Sequence, residues 1–458
     1  MMLSADCRFW RALYLAAAFA CISTALAAQA LPITNVATLA GGVAESSGLI
    51  RAHASGHWWT HNDSGGLPEL YKLDSTGAVV RTVRVLGVPN VDWEELTADD
   101  SGYVYIGDFG NNSNNRQDLV IYKIPHPDLL VVDSVVPTEI HFSYADQQAF
   151  PPADSLLHYD MEAMVAWGDS LYLFSKNRTD PFDGYTRLHA LPTQPGTYVT
   201  AALDSFYTGP GPMLNYWVCA AAVSPDREHL LLVSYTRGWL FSCFSGHDFF
   251  GGAVTNFTWS LSQKEGVAWA GNDTVYFTDE RINGVFGGNL SRALVARYTT
   301  EPDATLGPDT TYFGTALSLH APALLGATYL WNTGETNDSI SVSASGTYAV
   351  TVTAPNGCTD TDSIDVQVLV ALTPSAHTGL AAQVRGRGAD AVLALHVPAA
   401  GEYTWALVDM SGQVALGGKL LLGSDAEFLI PVGEQLAAGV YVLRCNGPVG
   451  AASWKVGL

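Results

Sequence analysis

Between about residues 33 and 305 the apolar positions fall into short alternating runs, and one arrangement of them recurs. Glu94-Glu95-Leu96-Thr97-Ala98 leads into Tyr103-Val104-Tyr105-Ile106-Gly107-Asp108. Glu162-Ala163-Met164-Val165-Ala166 leads in the same way into Leu171-Tyr172-Leu173-Phe174-Ser175-Lys176, and Glu265-Gly266-Val267-Ala268-Trp269 into Thr274-Val275-Tyr276-Phe277-Thr278-Asp279. A period of two on both sides of a short turn predicts a β-hairpin. Ser47-Gly48-Leu49-Ile50 before Trp58-Trp59-Thr60-His61, and Ala220-Ala221-Ala222-Val223 before Leu231-Leu232-Val233-Ser234, read as degenerate copies. One or two further runs follow each copy, such as 119–124 and 139–144 after the second. Four strands per unit is the blade of a β-propeller.

Five units predict five blades, with six as the upper bound. After the fifth copy one clear strand follows, 293–298, while a spare one, 33–39, precedes the first. If the N-terminal strand completes the last blade, the ring closes and no edge is left open. The propeller is expected over 30–305. From about 306 the aromatic hairpins stop and short Ser/Thr-rich strands begin.

Composition narrows the setting. With 22 basic against 44 acidic residues the formal charge is −22, which opposes binding to nucleic acid or anionic lipid. Residues 1–29 have the layout of a signal peptide: Arg8 and Arg11, an apolar run from Ala12 to Ile22, then small residues ending at Ala27, Ala28 and Ala30. No later segment is apolar over the length of a spanning helix, so the mature chain is expected to have no transmembrane segment. Removing the signal leaves Cys219, Cys243, Cys358 and Cys445, whose spacing fits no zinc or redox motif. Export permits disulfides, and Cys219 with Cys243 share a predicted blade; either they are bridged or both stay buried thiols.

The repeat also concentrates polar chemistry. In an up-down hairpin the first residue of one strand and the last of the next lie at the same end. Glu94 is therefore expected beside Asp108, Glu162 beside Lys176, Glu265 beside Asp279 and Ser47 beside His61, all at one mouth of the channel. Three glutamates brought together raise one another's pKa unless something balances them. A hard divalent cation such as Ca²⁺ is one answer, with Asp63 and the loops 61–65 and 108–112 adding oxygens. Pairing with Lys176, Arg178, Lys264 and Arg281 is the other. A cation with Lys and Arg around one pocket also suits an anionic phosphate group. His53 and His57 lie four apart, but in a turn between strands rather than on a helix, which is not a zinc motif. No nucleophile elbow, phosphate-binding glycine loop or nucleophilic Cys/His pairing is visible.

Three resemblances add to this. Residues 327–368, through Tyr329-Leu330-Trp331-Asn332-Thr333-Gly334-Glu335-Thr336, Ser345-Gly346-Thr347-Tyr348-Ala349-Val350-Thr351-Val352, Asn356-Gly357-Cys358 and Asp362-Ser363-Ile364, resemble the immunoglobulin-like modules of gliding-bacterium surface proteins. The last part of the chain resembles the C-terminal sorting domain of type IX secretion cargo, through 406–414, 436–444 and Ser453-Trp454-Lys455-Val456. Its tail departs from that pattern at Trp454 and the closing Gly457-Leu458. Together these imply an all-β chain: a five-bladed propeller, an immunoglobulin-like module over 306–371 and a sorting domain over 372–458. They imply delivery by the type IX machinery to the outer surface of a Gram-negative bacterium. The segments 59–65, 92–96 and 107–112, with Arg116 and Lys264-Glu265-Gly266, resemble uncharacterised secreted propellers distantly similar to calcium-dependent propeller phytases and nucleotidases. That likeness implies calcium and a phosphate ester, without matching the metal ligands one by one. The competing expectation is a non-catalytic propeller that binds a glycan or a protein.

Overall fold

The computed structural model describes residues 28–282, 286–313, 316–369, 379–385, 390–433, 435–437 and 439–457. Residues 1–27, which carry most of the expected signal peptide, and 370–378, which carry the expected 371/372 boundary, lie outside them. The chain divides into two compact units, 1–301 with 355–358, and 302–354 with 359–458.

The first unit is a five-bladed β-propeller. Blade one is Ser46–Arg51, Trp58–Asn62, Glu69–Leu73 and Val79–Val85, and blade two is Trp93–Ala98, Tyr103–Asp108, Val120–Pro125 and Thr138–Tyr144. Blade three is Met161–Trp167, Ser170–Ser175, Tyr185–Pro192 and Asp204–Tyr207. Blade four is Ala220–Val223, His229–Val233, Arg237–Ser242 and Ala253–Thr258. Blade five takes Lys264–Trp269, Thr274–Asp279 and Asn289–Leu294 from its own sequence, and its outer strand, Thr34–Thr38, from the N-terminal side. That closure fixes the count at five and removes the sixth blade the sequence left open. Short parallel strands cover three outer edges: Ser134–Val135 on blade one, Gly196–Thr200 on blade two and Gln29–Ala30 on blade four.

Strand alternation builds the ring. Successive side chains leave a strand on opposite faces, so each blade packs on both neighbours. Trp58 and Trp59 are adjacent and almost fully buried, yet Trp58 packs with Leu39, Leu73 and Leu290 while Trp59 packs with Trp93, Leu96 and Val104. Five apolar clusters of this kind occupy the five interfaces between neighbouring blades. Burying one such side chain contributes roughly 1.5–3 kcal/mol.

Cys243 is bridged to Cys358, inside the 355–358 segment that clusters with the propeller, and Cys219 remains a buried thiol. Both readings left open for Cys219 and Cys243 are thereby corrected at Cys243, which is neither paired with Cys219 nor a thiol, while Cys219 is the buried thiol of the second reading. A shared blade did not place these two cysteines within bonding reach, because Cys219 precedes the inner strand and Cys243 follows the third.

In the second unit two β-sandwiches each have their own core. One combines the sheet of Thr310–Phe313, Thr359–Leu369, Gly346–Thr353 and Thr328–Trp331 with the pair Leu317–His320 and Ser339–Val342. Its centre is Trp331, whose indole N–H donates to the Asn337 carbonyl at 2.9 Å. The other combines Ala381–Arg385, Val392–Val397 and Ala426–Pro431 with Gly401–Val408, Val414–Leu422, Val440–Gly447 and Gly450–Gly457, around Leu393, Tyr403 and Leu443. Among the described residues no helix is long and apolar enough to cross a membrane.

Candidate functional site: a carboxylate mouth set by bulges

The inner strands of blades one, two, three and five each carry a β-bulge near their start. Pairing jumps from Ser47 to Leu49, from Trp93 to Glu95, from Met161 to Ala163 and from Lys264 to Gly266. The extra residues are Gly48, Glu94, Glu162 and Glu265. A bulge leaves its extra residue unpaired and re-aims its side chain, which is how three glutamates come to face one mouth.

Ser47 does face His61 and Glu162 does lie beside Lys176, as expected, but the registers correct the Glu94–Asp108 and Glu265–Asp279 pairs by one residue. Asp108, Ser175 and Asp279 face Trp93, Met161 and Lys264, not the glutamates. Lys176 thus belongs to the row of Glu280, not to that of Asp108 and Asp279. Asp108 is held by Arg116 at 3.0 Å and by the amides of Val91 and Asp92. Asp279 accepts from the Ser262 hydroxyl at 2.6 Å and the Asn289 amide at 2.9 Å. Lys264 donates to Ser262, and Arg281 to the Leu39 carbonyl. His61 is buried, with Nδ1 on the Asn62 carbonyl at 2.8 Å, and burial pulls its imidazole down to about 4. Asp108, Asp279, Arg116, Lys264 and Arg281 are therefore occupied with local structure, whereas the buried Nε2 of His61 has no hydrogen-bond partner among the described residues.

Asp63, Asp92 and Glu94 bring carboxylate oxygens within 4.8 Å of one another, and Asp63, Glu265 and Glu280 form a second such group. Asp63 belongs to both. It reaches the mouth from the end of the second strand of blade one, where the Asn90 side chain holds its carbonyl at 2.6 Å. Blade one cannot supply a bulge carboxylate: Gly48 sits at φ +63°, and a side chain there would meet the Leu96 amide at 2.5 Å. Gly110 is needed for a related reason, since a Cβ on it would collide with the Glu94 and Asp92 carboxylates.

The three glutamates end in different states. Glu162 accepts Lys176 Nζ at 2.7 Å and Arg178 at 3.3 Å, while Arg178 also holds Asp160 at 2.7 Å and reaches Asn112. Glu265 accepts the Tyr235 hydroxyl at 2.7 Å and lies 3.9 Å from Lys176. Glu94 is 3 % exposed, and among the described residues no donor lies within hydrogen-bonding distance of its carboxylate. One cage shared by Glu94, Glu162 and Glu265 is not what forms, because Lys176 and Arg178 claim Glu162.

Electrostatics follow this geometry. Burial, with like charge from Glu265 and Asp92, pushes Asp63 up to about 7. Burial and Asp160 push Asp92 up to about 6, and burial with Glu265 pushes Glu280 up to about 10. Burial, then Glu162 and Asp63, hold Glu94 well above the ordinary range. Burial pulls the Lys176 ammonium down, but Glu162 and its neighbours more than offset this and keep it charged.

One residue deeper, Glu95 behaves differently. It is fully buried in the channel and accepts the Leu96 and Ala221 amides at 3.0 Å each. Ala221 stands on the inner strand of blade four, so Glu95 ties blade two to blade four beneath the mouth. The repeat put Glu94 and Glu265 in view, but it missed Asp92, Glu280 and Asp160. Asp92 stands two residues before Glu94, and Glu280 directly follows Asp279, so a register offset by one would have found Glu280.

No protein-family model matches this sequence, and no curated protein matches it. Among solved structures the chain is similar to a putative TolB from Agrobacterium tumefaciens, at 11% identity and TM-score 0.29, over 69% of this chain and 79% of that one. It is also similar to the holo PQQ domain of pyranose dehydrogenase from Coprinopsis cinerea, at 8% identity and TM-score 0.31, over 58% and 98%.

Proposed function

We propose that the propeller is a binder of a hard divalent cation, calcium foremost, at the mouth where Asp63 joins two carboxylate groups. The observation that carries this is Glu94, a buried carboxylate with no donor, beside Asp63 and Asp92. Several buried like charges are unfavourable unless protonated or met by a cation. An all-oxygen set of carboxylates suits Ca²⁺.

A non-catalytic role, in which the bound cation presents the mouth to a glycan or protein, is the better supported form of this reading. A phosphate ester needs free positive charge beside the metal. Lys176, Arg178, Arg116, Lys264 and Arg281 are all engaged by protein acceptors. Calcium should raise the melting temperature of the chelator-treated full chain by several degrees, and Asp63→Asn should remove most of that rise. An equal rise in Asp63→Asn, or none in the parent, would defeat the cation reading. Calcium-dependent release of phosphate from an ester substrate would replace the binder with a hydrolase.

For delivery, we propose export by an N-terminal signal and surface sorting through the C-terminal sandwich. Truncation after residue 371 should leave the protein inside the outer membrane in a host with type IX secretion.

A further inference from the structure

Blade five departs from blades two and three at one position of the repeat. Directly before the bulge residue, blade two carries Trp93 and blade three Met161, and each packs into the interface with the preceding blade. Blade five carries Lys264 there. Where the other two interfaces are filled, blades four and five keep a groove of roughly 630 Å³. Its inner end is formed by Ser262, Lys264 and Asp279. Its outer end is formed by the segment 31–33, which passes from Gln29–Ala30 on blade four to Thr34–Thr38 on blade five.

Lys264 is 4 % exposed, and among the described residues its ammonium has a single acceptor, the Ser262 hydroxyl at 2.7 Å. Ser262 in turn donates to Asp279 at 2.6 Å, and the other Asp279 oxygen takes the Asn289 amide at 2.9 Å, so that carboxylate is satisfied without a direct ion pair to the lysine. Ser262 uses one of three N–H groups, and two remain without a partner on a buried cation. Burial pulls the Lys264 ammonium below its ordinary value by more than Asp279 restores. The indole N–H of Trp259, on the wall of the same groove, is also buried without an acceptor. Buried donors are costly unless something supplies the missing acceptors.

We propose that the groove between blades four and five binds a small organic monocarboxylate, with its carboxylate on Lys264 and its apolar body along Leu31, Ile33 and Leu261. One cation calls for one negative charge, and a carboxylate accepts on both oxygens without donating. The apolar side chains farther along the groove suit a hydrocarbon body rather than a second charge, and the volume is that of a small-molecule site. This site does not depend on a cation at the mouth, because the bulge sends Glu265 to the mouth and leaves Lys264 in the interface.

Calorimetric titration of the full chain with hexanoate, in chelator and again in saturating calcium, tests this. One equivalent should bind with the same affinity in both. Hexanamide keeps the shape without the charge and should bind roughly tenfold more weakly or worse, and Lys264→Met should weaken hexanoate to a similar extent. That variant removes a buried charge at nearly constant side-chain length, so without ligand it should melt no lower than the parent. Equal hexanoate affinity in the parent and Lys264→Met, equal affinity for hexanoate and hexanamide, an affinity that calcium changes, or no binding in the parent would overturn the proposal. A ligand-free Lys264→Met chain that melts below the parent would overturn it too, by making the lysine a structural group.

Discussion

Glu94 and Glu95 are neighbours in sequence and both are buried, yet their surroundings are opposite. Glu95 spends its two oxygens on backbone amides of blades two and four, while Glu94 accepts no hydrogen bond among the described residues and has two carboxylates beside it. The bulge between Trp93 and Glu95 makes the difference, because it turns one side chain up to the mouth and leaves the next in the channel. One carboxylate holds the ring together, and the other sits where a structural role alone would be unfavourable. Burial and charge alone do not tell these roles apart; the donors do.

The most severe way to break the comparison is to truncate both. Glu95→Ala strands the Leu96 and Ala221 amides, each costing roughly 1–3 kcal/mol if unsatisfied, so a net loss on the order of 3 kcal/mol is expected with some water entering. Denaturant unfolding should show that loss with or without calcium. Glu94→Ala removes a charge that lacks a donor. It should be neutral or stabilising by up to about 2 kcal/mol without calcium, and should abolish the calcium response. Equal losses for the two variants would show that Glu94 is structural too.

A pH series tests the crowding around Glu94 without mutation. Asp63 is raised to about 7 and Asp92 to about 6 in the folded chain. Unfolded carboxylates titrate near 4, so between about pH 4 and 7 the folded state holds the extra protons. Stability of the calcium-free chain should accordingly fall as pH rises through that window, each unit of displacement being worth about 1.4 kcal/mol before solvent screening of the partly exposed Asp92. Saturating calcium should flatten the fall. A melting temperature that rises from pH 5 to 8 in chelator would contradict the crowding of these groups.

The fold was more legible than the site. The alternation of Tyr103 to Asp108 or Thr274 to Asp279 carries strand and facing at once, and the spare N-terminal strand implied the closure seen at Thr34–Thr38. Glu94, Glu162 and Glu265 were visible because they recur. Lys176 and Arg178 were legible as partners of Glu162, but the neighbours of Glu94 and Glu265 were not, because a bulge shifts register by one residue without a signature in the residue types. Asp63 comes from a turn that does not repeat, and Cys358 lies 115 residues from Cys243.

The smallest expected effect sharpens why blade one differs from blades two, three and five. At its bulge stands Gly48, at φ +63°, with the Leu96 amide, the Glu95 carbonyl carbon and His61 crowding the place of a Cβ. The backbone conformation and the contact both disfavour a side chain. Gly48→Ala should lower stability by about 1–3 kcal/mol, through the same inner-strand packing that seats Glu95. Calcium should still raise the melting temperature of this variant, because Asp63, not position 48, supplies the carboxylate from blade one. A Gly48→Ala chain as stable as the parent would mean that blade one could have carried a bulge glutamate, and that the route through Asp63 is not imposed by the packing of blade two.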